Sequence, residues 1–268
     1  MNKANNFSKT LGVKQIQIDE KCTVHNVNKI KVIGGRYKMD PYCPICEQEK
    51  QQKELDQLSK RVIEQEYKNY LKNYSIINRR SALSYTFANF EVQSHSKEAT
   101  LLMQTRRVAG EYYQDKDKSF NTLLFGNAGT GKTHLAMAIL NAVNDNSNPW
   151  QKCLFLSVSG LMQAQKNYFS DPANNLWSSK YTEHVVKDAD LVVFDDLGSE
   201  SAISQASNFV QETIFDIYEW NQRIITTTNL SLNELKRKYE PRIVSRILEG
   251  GKGHLIDFTQ IQDKRPFK

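Results

Sequence analysis

Eight consecutive residues constrain this chain more than any others: Gly126-Asn127-Ala128-Gly129-Thr130-Gly131-Lys132-Thr133. They fit the pattern G-x-x-x-x-G-K-[ST] in the setting that gives the pattern meaning. Residues 121–125 predict a buried strand running into the loop, and residues 133–143 predict a helix leaving it. Glycine allows backbone angles that other residues avoid, so successive amides can turn toward one anion. The helix N-terminus adds its own partial positive charge. The loop therefore predicts a phosphate cradle for ATP. Lys132 would reach the β- and γ-phosphates, and the Thr133 hydroxyl would ligate Mg²⁺. His134, next on the helix, joins residues 126–133 as a nucleotide-binding candidate.

The pattern repeats downstream. Residues 153–158, 191–194, 223–228 and 254–258 predict strands, and residues 161–169, 206–220, 232–239 and 243–248 predict helices, the last closed by Gly250-Gly251. Strands alternating with helices predict an α/β fold, a parallel sheet with helices on both faces. Residues 74–120 look less regular. In Leu191-Val192-Val193-Phe194-Asp195-Asp196 a fully apolar strand delivers two carboxylates at its C-terminal edge, where such sheets bind ligands. Asp195 is expected to hold Mg²⁺ through water, and Asp196 to orient and deprotonate the attacking water. The strand 224–228 ends at Asn229, placed to hold that water near the γ-phosphate. Further on, Arg242 and Arg246 lie four apart on one helical face. Each is a candidate finger toward a neighbour's site, with Arg246 preferred.

Charge separates the ends of the chain. The first 80 residues hold 16 of the 36 Lys and Arg against 9 of the 30 Asp and Glu, so the whole basic excess lies there. Such a surplus suits nucleic acid, an acidic protein surface or simply solvent. With 39% hydrophobic residues, no apolar run of membrane-spanning length and no signal-peptide core, the expected location is cytoplasmic, with no membrane partner. Residues 47–73 predict one long polar helix with a narrow apolar stripe of Leu55, Leu58 and Val62. Before it, Cys22-x-x-His25 and Cys43-x-x-Cys46 make two ligand pairs seventeen residues apart, the pattern of a structural zinc site. The Gly34-Gly35 pair would turn the chain between them. With few apolar side chains in this segment, Zn²⁺ would supply its folding energy. Cys153, in an apolar strand, is expected to pack as a small hydrophobe.

Taken in order, the loop at 126–133, Asp195-Asp196 in the form DDLGSE, the TTN at Thr227–Asn229 and the PRIVSRI at 241–247 resemble the AAA+ ATPases of the DnaC/DnaI helicase-loader group. The resemblance covers roughly residues 85–268, and transposon-encoded IstB-type ATPases share much of it. It implies an AAA+ sheet order and ATP hydrolysis to ADP and phosphate. It also implies self-assembly into a ring or spiral, contact with single-stranded DNA, and a hexameric replicative helicase as partner. The helicase would be gripped by residues 1–80, the zinc-bearing domain and its helix, leaving 81–268 as the AAA+ domain. Residues 161–169 match the DNA-contacting helices of that group, with Lys166 as the candidate contact. Fewer than twenty-five residues follow Arg246. That predicts a reduced or absent lid, disfavours an origin-binding initiator, and leaves Arg265 as a weak sensor-II candidate. Two other functions fit the residues: an IstB-like transposition ATPase acting on duplex DNA, and a zinc-dependent nucleic-acid-binding module with a vestigial ATPase.

Overall fold

The structure is a computed structural model that describes residues 13–34, 39–92, 96–200 and 206–264. Gly35 and Arg265 lie outside the described residues. The chain divides into two compact units, Met1–Ile63 and Glu64–Lys268.

In the first unit, β1 (Lys14–Lys21) and β2 (Asn28–Ile33) form an antiparallel hairpin. Its turn is tight, with the Cys22 amide donating to the Val27 carbonyl and Asn26 at φ 53°. Tyr42 pairs with Ile30 through two backbone hydrogen bonds, which brings Cys43 back beside the hairpin. Helix α1 (Pro44–Tyr74) follows at once. It starts three residues earlier than the composition of 47–73 indicates, because proline suits the first helical turn and the Cys43 carbonyl accepts from the Glu47 amide. Cys46 thus sits in the first turn, three residues after Cys43. The division between the two units falls inside α1, ahead of the charge break near residue 80.

The second unit is a three-layer sandwich. Its five parallel strands run in the order β4 (Cys153–Ser157), β5 (Leu191–Leu197), β6 (Ile224–Thr228), β3 (Thr122–Phe125) and β7 (Leu255–Asp257). The period-two alternation of each strand sends neighbours to opposite faces. Leu123, Leu154, Leu156, Val192 and Phe194 pack on one side, and Leu124, Cys153, Phe155, Leu191 and Val193 on the other. The first face is covered by α4 (Val158–Ser170), α5 (Ser179–Asp188), α6 (Asn208–Trp220), α7 (Leu232–Lys238) and α8 (Pro241–Ile247). The second is covered by α2 (Lys97–Gln114) and α3 (Lys132–Asn146). Cys153 is fully buried, and burial pushes its thiol pKa up, as a packing residue requires.

Two helices are absent from the sequence expectation. The stretch before the glycine loop contains α2, capped by the Ser96 hydroxyl, with Leu101, Leu102, Thr105, Val108, Ala109 and Tyr112 forming its buried face. Helix α5, capped by Ser178, buries only Thr182, Val185 and Val186. In each a buried threonine, Thr105 in α2 and Thr182 in α5, interrupts the apolar face as it appears in the sequence. Among the described residues no helix is long and apolar enough to cross a membrane.

Candidate functional site

All five strands are parallel, so their C-terminal ends open on one edge, and a cavity of about 710 Å³ lies there. The glycine loop forms its floor. Gly126, Gly129 and Gly131 hold φ values of 126°, 75° and 93°, in the region that only glycine enters cheaply. A side chain at Gly126 would also strike the backbone of Phe258 and Thr259. The loop is braced from outside: Asn127 donates to the Thr259 carbonyl, and the Lys264 amide donates to the Gly129 carbonyl. Lys132 is buried, its amino group donating to the carbonyls of Gly126 (2.8 Å) and Asn127 (2.5 Å). An ammonium held by two carbonyls at the loop's own mouth is positioned to exchange them for phosphate oxygens.

The acidic residues meet this floor. Thr133 Oγ1 donates to Asp195 Oδ1 at 2.8 Å, and Thr227 Oγ1 donates to the same oxygen at 2.7 Å. Burial pushes the Asp195 carboxyl above the usual range, and the two hydroxyls pull it partly back. A buried carboxylate next to a threonine hydroxyl at the loop end is a donor set that fits Mg²⁺. Asp196 lies near the C-terminal end of β5 at φ 61°, in the left-handed region, where the strand's register against β6 shifts. The Asn229 amide donates to Asp196 Oδ1 at 3.0 Å. Asn229 therefore touches the proposed base itself, and both line the cavity.

Thr227 is the residue that sequence reading passed over. Its hydroxyl donates to Asp195 and accepts the Asp196 amide at 2.8 Å, so one side chain sets the geometry of both carboxylates. The signal was there: three threonines in a row within a fully buried strand each need a hydrogen-bond partner.

His134 turns its ring away from the loop. It stacks on Tyr85 with centroids 4.4 Å apart, and its Nε2 contacts the Thr86 carbonyl and Asn89 Oδ1, both at 3.0 Å. Burial holds its pKa down, so the ring is neutral at physiological pH. With Tyr85, Asn89 and Phe90 it walls the cavity on the side of residues 77–91. Arg242 and Arg246, on α8, do not line this cavity. Arg242 bonds Glu240 at 2.7 Å and lies over the Phe215 ring, while Arg246 bridges Glu219 and Glu249 at 2.6 and 2.9 Å. Lys166 is exposed on α4.

In the first unit the four expected ligands converge. One ligand atom from each of Cys22, His25, Cys43 and Cys46 lies within 4.8 Å of every other. A tetrahedron with zinc–sulfur bonds of about 2.3 Å has sulfur–sulfur edges of about 3.8 Å. The Cys22–Cys46 sulfurs are 3.7 Å apart, and His25 Nδ1 lies 3.9, 3.7 and 3.2 Å from the sulfurs of Cys22, Cys43 and Cys46. The other ring nitrogen meets Glu49 at 3.2 Å, the carboxylate backing that metal-bound imidazoles use. The amides of His25 and Val24 hold the Cys22 pKa down to about 6, which favours thiolate.

Comparison with known proteins decides the family. The model for the bacterial DnaA ATPase domain matches residues 82–253. The chain belongs to that family. It is a DnaA/DnaC-like AAA+ protein of the replication-initiation and helicase-loading group. The chromosomal replication initiator DnaA of Onion yellows phytoplasma (strain OY-M) is 27% identical over 194 residues, 67% of this chain and 35% of that protein. The chain thus spans about a third of the initiator's length. The replicative helicase loader DnaC of Escherichia coli (strain K12) is 25% identical over 173 residues, 64% of this chain and 68% of the loader. A crystal structure of the DnaC helicase loader superposes with TM-score 0.53 and 21% identity, over 69% of this chain and 100% of that one. This last likeness concerns the fold.

Proposed function

We propose that the chain binds and hydrolyses ATP and uses the cycle to load a hexameric replicative helicase onto single-stranded DNA in the cytoplasm. The observation that carries the reading is the chain of contacts Thr133–Asp195–Thr227–Asp196–Asn229 at the mouth of the glycine loop. A domain that only bound nucleotide would need the first two of these residues. The rest position a second carboxylate as a base.

In this reading the loop amides and Lys132 bind the β- and γ-phosphates. Thr133 and Asp195 hold Mg²⁺, which neutralises phosphate charge when bound. Asp196 accepts the proton of the attacking water, and Asn229 fixes the carboxylate's orientation. Arg246, with Arg242 as the alternative, would complete a neighbouring chain's site on self-assembly into a ring or spiral. Both guanidiniums would first have to leave their glutamates. The Cys22–His25–Cys43–Cys46 group, folded by Zn²⁺, would form the helicase grip together with α1, within residues 1–80. Residues 81–268 would be the AAA+ domain.

The loader reading is supported by the sequence likeness to the replicative helicase loader DnaC of Escherichia coli (strain K12). The test is to mix the protein with a replicative helicase hexamer, and separately with duplex DNA, in the presence of ATP, and to size the complexes. A helicase complex without duplex assembly is expected. Filaments on duplex DNA with no helicase complex would overturn the loader reading in favour of a transposition ATPase.

A further inference from the structure

The cavity's far wall is built by a short segment that behaves as an extra strand. Ile76 makes a parallel bridge to Leu156, outside β4. Four hydrogen bonds close this seam. The Phe155 amide donates to Ser75 Oγ, the Ile76 amide to the Phe155 carbonyl, the Ser157 amide to the Ile76 carbonyl, and Asn78 Nδ2 to Ser157 Oγ at 2.7 Å. Gly160 presses on the same segment so closely that a side chain there would meet Ile76 at 2.7 Å and Asn78 at 3.1 Å. Because the stub runs parallel to β4, its C-terminal end emerges at the ligand-binding edge of the sheet. The next residue is Arg79.

Arg79 lines the nucleotide cavity and is exposed. Three other basic side chains line it, and each has its head group engaged. Lys132 is held in the loop, His134 is stacked on Tyr85, and Lys264 donates to the Glu91 carbonyl above the Phe90 ring. The Arg79 guanidinium has no hydrogen bond or ion pair to any described residue. Its position along the sheet is fixed by register: Asn78 bonds Ser157, and Ser157 pairs with Asp195. Two strand spacings, roughly 10 Å, therefore separate the backbone near Arg79 from that of Asp195. That gap lies on the side of the cavity where a terminal phosphate would meet the two aspartates. A long guanidinium without a described partner, lining the same cavity as two carboxylates, is matched to a phosphate placed between them.

We propose that Arg79 contacts the terminal phosphate of a nucleoside triphosphate bound by its own chain, so that the site grips a triphosphate more tightly than a diphosphate. The proposal rests on the nucleotide-site reading above and adds to it a cation supplied in cis, where α8 offers its arginines only to a neighbour. Calorimetric titration of the full chain with Mg²⁺-ATPγS and with Mg²⁺-ADP tests it, using Arg79→Gln, Arg79→Lys and Lys132→Ala. Loss of a charge-assisted bidentate contact is expected to weaken ATPγS binding to Arg79→Gln by about tenfold or more. ADP binding should stay within about twofold, and Arg79→Lys should recover part of the loss. Equal weakening of both nucleotides would overturn the proposal, since it would put Arg79 at the base or sugar. Unchanged binding of both would overturn it as well. In those two cases the nucleotide-site reading survives if the wild type binds and Lys132→Ala does not. A wild-type protein that bound neither nucleotide would refute the site reading, and the role of Arg79 with it.

Discussion

Replacing Thr227 with valine removes one oxygen from a side chain 1% exposed and leaves its volume unchanged. Two hydrogen bonds go with it. The bond to Asp195 is charge-assisted and contributes about 1.5–3 kcal/mol, and the stranded Asp196 amide costs about 1–3 kcal/mol. Asp196 is half-buried, so water relieves part of that second term. The expected loss of stability is about 3 kcal/mol. The functional effect should be larger than the loss of stability implies. A non-glycine residue in the left-handed region stores about 1–3 kcal/mol, and the Thr227 hydroxyl is one of three side-chain contacts that hold Asp196 there, with those of Ser199 and Asn229. Released from it, the carboxylate relaxes away from its position. A shift of about 1 Å in a catalytic group costs about a hundredfold in rate. Turnover is therefore expected to fall by about 10² in Thr227→Val while the protein remains folded. The Mg²⁺ needed for half-maximal rate should rise, because Asp195 loses a hydroxyl that favours its charged form. Thr227→Ser keeps the hydroxyl and should recover both. The assay is steady-state phosphate release against Mg²⁺ concentration, alongside urea unfolding. Wild-type turnover and Mg²⁺ dependence in Thr227→Val would refute the role given to the Thr227 hydroxyl.

Asp196→Asn should bind ATP and fail to hydrolyse it, whereas Lys132→Ala should lose binding. Filter binding paired with phosphate release separates them, and wild-type turnover by Asp196→Asn would remove that residue from the mechanism. Asp195 carries a pKa raised by burial. Between the ordinary carboxylate value and the raised one, the folded state holds a proton that the unfolded chain releases, so this site destabilises the apo-protein more as pH rises through that window. Asp195→Asn should therefore melt higher than wild type at neutral pH, by about 1 kcal/mol of stability. The gap should close as the pH falls from the raised pKa toward the ordinary carboxylate value, and an Asn variant less stable at neutral pH would contradict the burial argument. Elemental analysis should find about one zinc per chain. Cys43→Ser should lose the metal and the helicase complex while basal phosphate release persists, so metal-free protein that still gripped the helicase would sink the assigned role.

The fold was legible where packing is strongest. Strands such as Cys153–Ser157 and Leu191–Leu197 are buried on both faces, so their unbroken apolar runs leave few alternatives. Helices α2 and α5 escaped because a threonine interrupts each buried face, and because the capping serines at positions 96 and 178 look like loop residues until the helix is seen. The glycine loop, Asp195 and the cysteine pairs were legible because their chemistry is written in fixed local spacing. Thr227 and Arg79 were not, since what they do follows from register between strands far apart in sequence. For the same reason the contact of Asn229 with Asp196 was not legible in the sequence.

In the proposed function, ATP turnover in this chain drives a helicase onto DNA. The direct measurement is transfer of a closed replicative helicase hexamer onto circular single-stranded DNA, scored as salt-resistant helicase co-isolating with the circles. The account predicts transfer that requires both this protein and ATP, and that fails with Lys132→Ala and with Cys43→Ser. Helicase that reached the circles equally well with Lys132→Ala, or without the protein at all, would contradict it.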